Sequence, residues 1–165
     1  MMKSFNLTLH IFRRDLRLHD NTALSEAMRL SGEVIPCFIL DDRQVEEHPY
    51  RSGKALQFMA ASLEDLDRQL TQAGGRLYLF SGKPEDIVER LVKSPGINAV
   101  FAGRDYTPFS RERDSNLEDC CRKHHIPIYF LPDSLLHEPE NCLKSNGQPY
   151  TVFTPFSKAW KTLPF

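Results

Sequence analysis

The sequence Phe12-Arg13-Arg14-Asp15-Leu16-Arg17-Leu18-His19-Asp20-Asn21-Thr22-Ala23-Leu24 decides the fold of this chain. It follows an apolar run, residues 7–12, that predicts a buried first strand, and it leads into apolar residues at helical spacing. Asp20 or Asn21 is suited to cap that helix, because either side chain can accept a free backbone N–H. The loop between strand and helix is rich in arginine and aspartate. In an open parallel sheet, ligands bind at such loops, outside the carboxyl ends of the strands.

The alternation of apolar runs and helical patterns continues through residue 131. Strands are predicted at residues 7–12, 34–40, 77–80, 99–102 and 126–131, and helices after the first loop and over residues 53–73, 84–93 and 109–124. Gly32 is expected to end the first helix, and Pro36 to lie at a strand start or a bulge, because proline lacks an N–H. This pattern predicts an α/β, doubly wound, Rossmann-like fold with a mostly parallel five-stranded sheet, order 3-2-1-4-5, and helices on both faces.

Composition indicates a folded globular chain rather than a disordered or membrane-spanning one. The 165 residues are 41% hydrophobic and 26% charged, with a net charge of −1, which argues against strong non-specific binding to nucleic acid by this chain alone. No apolar run approaches the roughly 20 residues of a membrane span. The four cysteines form no C-x-x-C pair, so we expect reduced thiols in a cytoplasmic protein.

Several common chemistries lack their sequence motifs here. The first turn has no G-x-G-x-x-G, which makes a dinucleotide-dependent dehydrogenase an unfavoured interpretation. The six histidines show no metal-ligand spacing, and no serine stands in G-x-S-x-G, so we predict no catalytic or metal-binding residue. Gly82-Lys83 begins a helix without the rest of a phosphate-binding loop, and Trp160, the single tryptophan, is interpreted as a packing residue.

Residues 12–24 closely resemble the signature that follows the first strand in the DNA photolyase and cryptochrome family. Three more stretches are similar to that family: residues 63–67, Tyr106-Thr107-Pro108 with Arg113-Asp114, and residues 150–156 with Trp160. The resemblance covers nearly the whole chain but only the family's N-terminal α/β domain. The large helical domain, which in the family holds FAD and the flipped DNA lesion, is not in this chain.

The resemblance implies a function for the parent protein and a narrower one for this chain. Residues 1–132 would be an antenna domain, and residues 133–165 an extended tail and the start of a linker to the absent FAD-binding helical domain. We expect this chain to be the light-harvesting domain of a deoxyribodipyrimidine photolyase. DNA would be bound only by the full-length parent, and the chain by itself would not repair DNA. The alternatives are the antenna domain of a cryptochrome-type photoreceptor or a free-standing nucleotide- or flavin-binding module. The aromatic tail, which includes Phe165, would expose an apolar patch prone to association.

The predicted cofactor site lies between three loops at the ligand edge of the sheet. Its candidate residues are Arg13, Arg14, Asp15, Asp41, His48, Lys54, Asp105, Tyr106 and Thr107. These supply guanidinium donors, carboxylate acceptors and an aromatic ring, which suits a flat heteroaromatic ligand. Asp105 is expected to accept a ring N–H, with the alternative that it only pairs with Arg104 or Arg14.

The resemblance also bears on which chromophore is bound. His48 falls where folate-binding members place a contacting histidine, but Phe109 and Ser110 stand where those members have an Asn-Glu pair. Deazaflavin binders use two acids after the fourth strand, of which Asp105 matches the first and Thr107 stands at the second. A flavin or deazaflavin is therefore favoured over a folate.

Overall fold

The computed structural model describes residues 3–49, 51–94 and 96–164, and the chain divides into two compact units, Met1–Asp133 and Ser134–Phe165. The first unit consists of β1 (Phe5–Phe12), α1 (Thr22–Leu30), β2 (Ser31–Leu40), α2 (Asp42–Val45), α3 (Gly53–Gln72), β3 (Tyr78–Ser81), α4 (Pro84–Lys93), β4 (Ile97–Gly103), α5 (Pro108–Lys123) and β5 (Ile128–Leu131). Within the described residues, no helix has the length and apolarity needed to cross a membrane.

The five strands form one sheet in the order β3-β2-β1-β4-β5, and every neighbouring pair is parallel. The predicted order 3-2-1-4-5 is confirmed. Strands β1 and β4 are neighbours, so the chain reverses its winding direction between them. In doubly wound sheets this reversal opens a crevice at the carboxyl ends of the strands, where ligands bind.

Alternate residues of the strands pack against helices on opposite faces of the sheet. On one face, Leu9 and Ile11 of β1 join a core cluster with Ile87 of α4 and Leu117 of α5. On the other face, Phe12 and Phe38 pack with Leu24 of α1 and with three leucines of α3, Leu63, Leu66 and Leu70. Helices on both faces, as predicted, therefore bury the sheet, which explains the near-continuous apolar character of its strands.

The loop after β1 is fixed by Asn21, one of the two predicted helix caps. Its side-chain oxygen accepts the backbone N–H of Leu24 at 2.9 Å, and its amide nitrogen donates to the Asp15 backbone carbonyl at 3.0 Å. Asp20 instead takes the left-handed conformation with φ of 53°. The cap therefore begins α1 and also determines the path of the preceding loop.

Strand β2 begins three residues earlier than the sequence predicts, which corrects the role assigned to Gly32. Helix α1 ends at Leu30, where the N–H of Ser31 bonds to the carbonyl of Ala27, and Gly32 lies inside β2. A Cβ at Gly32 would lie 3.0 Å from the backbone oxygen of Asn6. Glycine is therefore required here by the close approach of two strands and not by a helix end.

Pro36 also differs from the prediction, because it lies in the middle of β2 and not at a start or a bulge. It stands opposite His10 in a regular β1–β2 register. Pairing between β2 and β3 begins only at Cys37. A missing N–H is tolerated because, at this position, β2 has β1 as its only paired neighbour among the described strands.

Helix α3 follows its predicted bounds to within one residue, but its apolar stripe is not buried along its whole length. Leu63, Leu66 and Leu70 are buried, whereas Leu56 and Met59 are only half-buried and Ala60 is exposed. The helix ends at Gln72; Gly74, two residues beyond, has φ of 85°, and the N–H of Gly75 donates to the carbonyl of Leu70. The first turns of α3 are thus less buried than its last turns.

The second unit is not the extended tail that the sequence predicts. It contains a 3₁₀ turn at Pro139–Asn141, an antiparallel bridge between Leu143 and Pro149, and helix α6 at Phe153–Trp160. None of the eight residues of α6 is buried, and Phe153 is 77% exposed. Phe165, which the predicted apolar patch includes, lies outside the described residues.

His10 is a fully buried residue of β1. Its ring meets the Phe12 ring edge-on at 4.4 Å between centroids, and neither ring nitrogen has a hydrogen-bond partner in the described part of the chain. Burial lowers the pKa of His10 from 6.5 to about 4. The negative charge of Asp15 acts in the opposite direction and raises this pKa, whereas the positive charge of Arg13 lowers it further. The folded protein therefore holds this histidine in its neutral form.

We expect the free energy of unfolding to fall on acidification because of His10. The unfolded chain takes up the proton below about pH 6.5, whereas the folded chain does so only near pH 4, so His10 favours unfolding between these values. The contribution is on the order of 2 kcal/mol between pH 8 and pH 5. Urea unfolding of His10→Phe at both pH values should show a smaller loss than wild type. His19→Gln, at an exposed histidine, is the matched control; an equal loss in wild type and His10→Phe would contradict the prediction.

Candidate ligand-binding site

A cavity of about 320 Å³ lies at the carboxyl ends of β1, β2 and β4. This volume lies at the lower end of the range of about 300–1,000 Å³ that is common for small-molecule sites. Strands, loops and helices of the first unit line it: Ile11, Phe12, Arg13, Arg14, Leu16, Phe38, Ile39, Asp41, Gln44, Phe58, Met59, Ser62, Pro84, Asp105, Arg113 and Leu117. Its walls are mainly apolar, with charged groups supplied by the three loops and by α5.

Four of the nine predicted site residues line this cavity: Arg13, Arg14, Asp41 and Asp105. The other five, Asp15, His48, Lys54, Tyr106 and Thr107, lie in the same loops or the adjoining helix turn but are not among its lining residues. The loops therefore converge as the topology predicts. Within each loop, some of the polar side chains face the cavity and others hold the loop in shape.

Asp15 holds the loop after β1 against the end of β4. Its carboxylate is buried and accepts the backbone N–H of Arg13 at 2.8 Å and the Asn21 amide at 3.1 Å. A Cβ at Gly103 would come within 3.0 Å of the Asp15 carboxylate, so the strand end leaves just enough room for it. These contacts give Asp15 a structural role beside the cavity.

The remaining four predicted residues have observable local roles. His48 places its Nε2 3.4 Å from the carbonyl of Gln44, and Lys54 is exposed in the first turn of α3. The Arg104 guanidinium lies over the ring of Tyr106 at 5.5 Å. Thr107 caps α5, because its hydroxyl accepts the N–H of Ser110 at 3.1 Å.

Asp105 lines the cavity and is also the centre of a hydrogen-bond network. It accepts the N–H of Tyr106 at 2.7 Å and the hydroxyl of Ser110 at 2.8 Å, and the Nε of Arg14 lies 3.4 Å from its second oxygen. Burial alone raises the pKa of Asp105, but the bonds from Ser110 and Tyr106, with the charges of Arg14 and Arg113, outweigh it and lower the pKa. Asp105 is therefore ionised at neutral pH and acts as an acceptor only.

The charges after β2 are organised by Asp41. Its side chain caps α2 by accepting the N–H of Arg43 at 3.1 Å, and it also binds the Arg43 guanidinium through two bonds of 2.9 and 2.7 Å. The same guanidinium lies over the ring of Phe109 at 4.9 Å. Asp41 thus enters the cavity wall with its charge already paired.

Two arginines of the cavity wall, Arg13 and Arg113, share the carboxylate of Asp114. The Nη1 of Arg13 donates to one oxygen of Asp114 at 3.0 Å and to the carbonyl of Gly103 at 2.8 Å, and its Nη2 lies 2.7 Å from the other Asp114 oxygen in an ion pair. Arg113 reaches the same carboxylate through its Nε at 3.1 Å. All three side chains are largely buried, so this triad joins β1, β4 and α5 in an environment of low dielectric constant.

Sequence reasoning did not assign Arg113 and Asp114 to the site, and it missed the wall formed by α3. Ser110, Arg113, Asp114, Leu117 and Cys121 are all buried on one face of α5. Their spacing of three, four and seven residues is the signal that could have placed two charged residues on the buried face. Phe58 and Ser62 gave no comparable signal, because they lie outside the apolar stripe at residues 56, 59, 60, 63, 66 and 70 that the sequence shows for this helix.

The fold and this site define an α/β domain with a mainly apolar cavity at the switch point of a parallel sheet. A family model described as DNA photolyase matches residues 8–164. The chain therefore belongs to the DNA photolyase family.

The relatives are longer proteins than this chain. The deoxyribodipyrimidine photo-lyase of Synechococcus is 34% identical over 152 residues, which cover 92% of this chain and 31% of that protein. Cryptochrome-1 of Aedes aegypti is 32% identical, with 82% of this chain and 26% of that protein covered. An archaeal photolyase structure from Sulfolobus tokodaii, with two FAD molecules, matches with a TM-score of 0.77 and 36% identity over 96% of this chain and 35% of its own. The chain thus spans about a third of the photolyases it matches.

We predict that Asp114→Asn destabilises the fold by about 3–5 kcal/mol, since it leaves two buried guanidinium groups without their shared counter-charge. The matched control is Asp119→Asn on the same helix, which removes an exposed ion pair with Arg122 and should cost less than about 1 kcal/mol. Urea unfolding at pH 7 measures both. Equal effects of the two substitutions would show that the triad is not a major source of stability.

Proposed function

We propose that this chain is the light-harvesting domain of a photolyase and binds its antenna chromophore in the cavity at the sheet edge. The cavity itself is the observation that carries the proposal. Apolar walls from α3 and the strands can enclose a flat ring, and charged groups from the loops can orient its polar edge. An antenna transfers excitation energy through dipole coupling, so its site must fix an orientation and need not contain a general acid or base.

A flavin or deazaflavin is the proposed chromophore. The Sulfolobus tokodaii photolyase that the chain resembles holds two FAD molecules, and its crystal structure implicates a novel light-harvesting cofactor. The donor set of this site suits an isoalloxazine-type ring: the Asp105 carboxylate accepts, and the guanidinium groups of Arg14 and Arg113 donate. A folate is less favoured. Ser110 stands at one of the two positions where folate-binding members are expected to have an Asn-Glu pair, and here its side chain is buried and bonded to Asp105.

The parent protein is proposed to be a deoxyribodipyrimidine photolyase that repairs pyrimidine dimers in DNA. FAD for electron transfer and the surface for DNA would belong to a helical domain outside this sequence, so the 165 residues alone are not expected to repair DNA. A cryptochrome-type photoreceptor is the second candidate, because cryptochrome-1 of Aedes aegypti is 32% identical over 142 residues. Light-dependent dimer repair by the longer protein would distinguish the two.

The cavity assignment is tested by Ser62→Phe, which should abolish binding of FMN and of a deazaflavin. Ser62 is a cavity-lining residue of α3 whose hydroxyl bonds to the carbonyl of Phe58 at 2.9 Å, so a phenyl ring there would occupy the ligand space. Ala61→Phe, at an exposed neighbour on the same helix, is the control and should bind as wild type does. Titration followed by ring fluorescence gives the affinities. Unchanged binding by Ser62→Phe would place the chromophore elsewhere.

Asp105→Ala should weaken binding of both ligands about 10- to 150-fold, since a hydrogen bond to a charged acceptor contributes about 1.5–3 kcal/mol. The same titration measures it. Asp105 also holds the loop through Ser110, so Ser110→Ala is the companion variant: it removes that bond and leaves the carboxylate. If Asp105→Ala binds as tightly as wild type while folded, Asp105 acts on the loop alone.

A further inference from the structure

Arg113 is a charged residue of the cavity wall, and its terminal nitrogens donate no hydrogen bond to the described part of the protein. Its side chain is 9% exposed, and its one hydrogen bond in the described residues runs from Nε to Asp114. Its Nη2 is buried with no hydrogen-bond partner in the described residues. We propose that Arg113 is a ligand-binding residue that donates to a ring carbonyl oxygen of the chromophore, an inference that rests on the proposed function.

Asp114 does not need Arg113 as its principal counter-ion. Arg13 hydrogen-bonds one of its oxygens at 3.0 Å, and the Arg13 Nη2, which has no hydrogen-bond partner in the described residues, lies 2.7 Å from the other in an ion pair. A buried guanidinium that repeats an interaction already made, and leaves its own terminal donors unused, is unfavourable in a protein interior. A bound ligand that accepts hydrogen bonds from these nitrogens would remove this cost. Arg113 lines the cavity in which that ligand would lie.

The chemistry of the acceptor follows from where the arginines lie. The Arg14 side chain is 72% exposed and can meet a hydrated group such as a phosphate, whereas Arg113 is enclosed. Burying a phosphate beside Arg113 would require stripping water from a strongly hydrated anion, which is much more costly than burying a carbonyl. The pyrimidinedione edge of a flavin or deazaflavin alternates carbonyl, N–H and carbonyl groups. Asp105 can accept its N–H, and Arg113 can donate to a neighbouring carbonyl.

The test compares riboflavin with FMN, which share the ring and differ in the phosphate. We expect Arg113→Met in the 165-residue chain to weaken both ligands equally, by about 10- to 150-fold. Arg113→Lys keeps a charged donor but not the planar guanidinium, so it should weaken both by less. Arg111→Met, at an exposed position two residues earlier on α5, is the matched control and should leave both affinities unchanged.

Folding is checked by thermal unfolding, and Arg113→Met is expected to fold because the Arg13–Asp114 pair remains. If it does not fold, Arg113→Lys carries the comparison. Wild-type affinity for both ligands in a folded Arg113 variant would overturn the inference. A loss confined to FMN would assign Arg113 to the phosphate and would also overturn it. Failure of the proposed function is distinguishable: wild type would then bind neither ligand, or Ser62→Phe would bind as tightly as wild type.

Discussion

The buried ion pair between Arg13 and Asp114 is the interaction on which the ligand edge of this domain depends. Arg13 is the first residue after β1, and its guanidinium also donates to Gly103, the last residue of β4. One side chain therefore joins the two central strands and α5 at the point where the winding direction reverses. Because the pair is largely buried, its attraction is weakly screened by solvent, but each ion has lost its hydration. The geometry is retained only while both partners are present.

The cavity at this edge lies between α3, which covers the sheet, and loops whose shape is fixed by their own polar contacts. The sheet must be covered by helices, and the last turns of α3 meet this need with three buried leucines. Its first turns bury no side chain fully, and Phe58 and Met59 there line the cavity together with residues of the loops after β1, β2 and β4. Those loops are held by their own polar contacts, such as Asp15 with Asn21 and Asp41 with Arg43, and so cannot collapse into the space. A preformed site with fixed polar groups results.

Sequence periodicity was sufficient for the architecture and for the meeting of three polar loops at one edge of the sheet. Strand order, the bounds of α3 and the Asn21 cap all follow from local patterns that the tertiary structure reinforces. Gly32 and Pro36 were misassigned because their roles depend on neighbouring strands: one on the distance to Asn6, the other on where β3 starts to pair. The same limit applies to the site. A loop sequence identifies polar residues such as Asp15 and Asp105, but which of them faces the cavity depends on contacts with β4 and α5.

The position of Pro36 has a consequence for how this sheet resists self-association. Strand β3 pairs only with Cys37–Leu40, so the amino-terminal half of β2 is an edge of the sheet in the described structure. An exposed edge is a template on which a strand from another molecule can add. Here that half contains a proline, which offers no N–H, and the exposed charged residue Glu33. Both would interrupt the ladder that an incoming strand needs, so a proline within β2 makes this edge a poor template for strand addition.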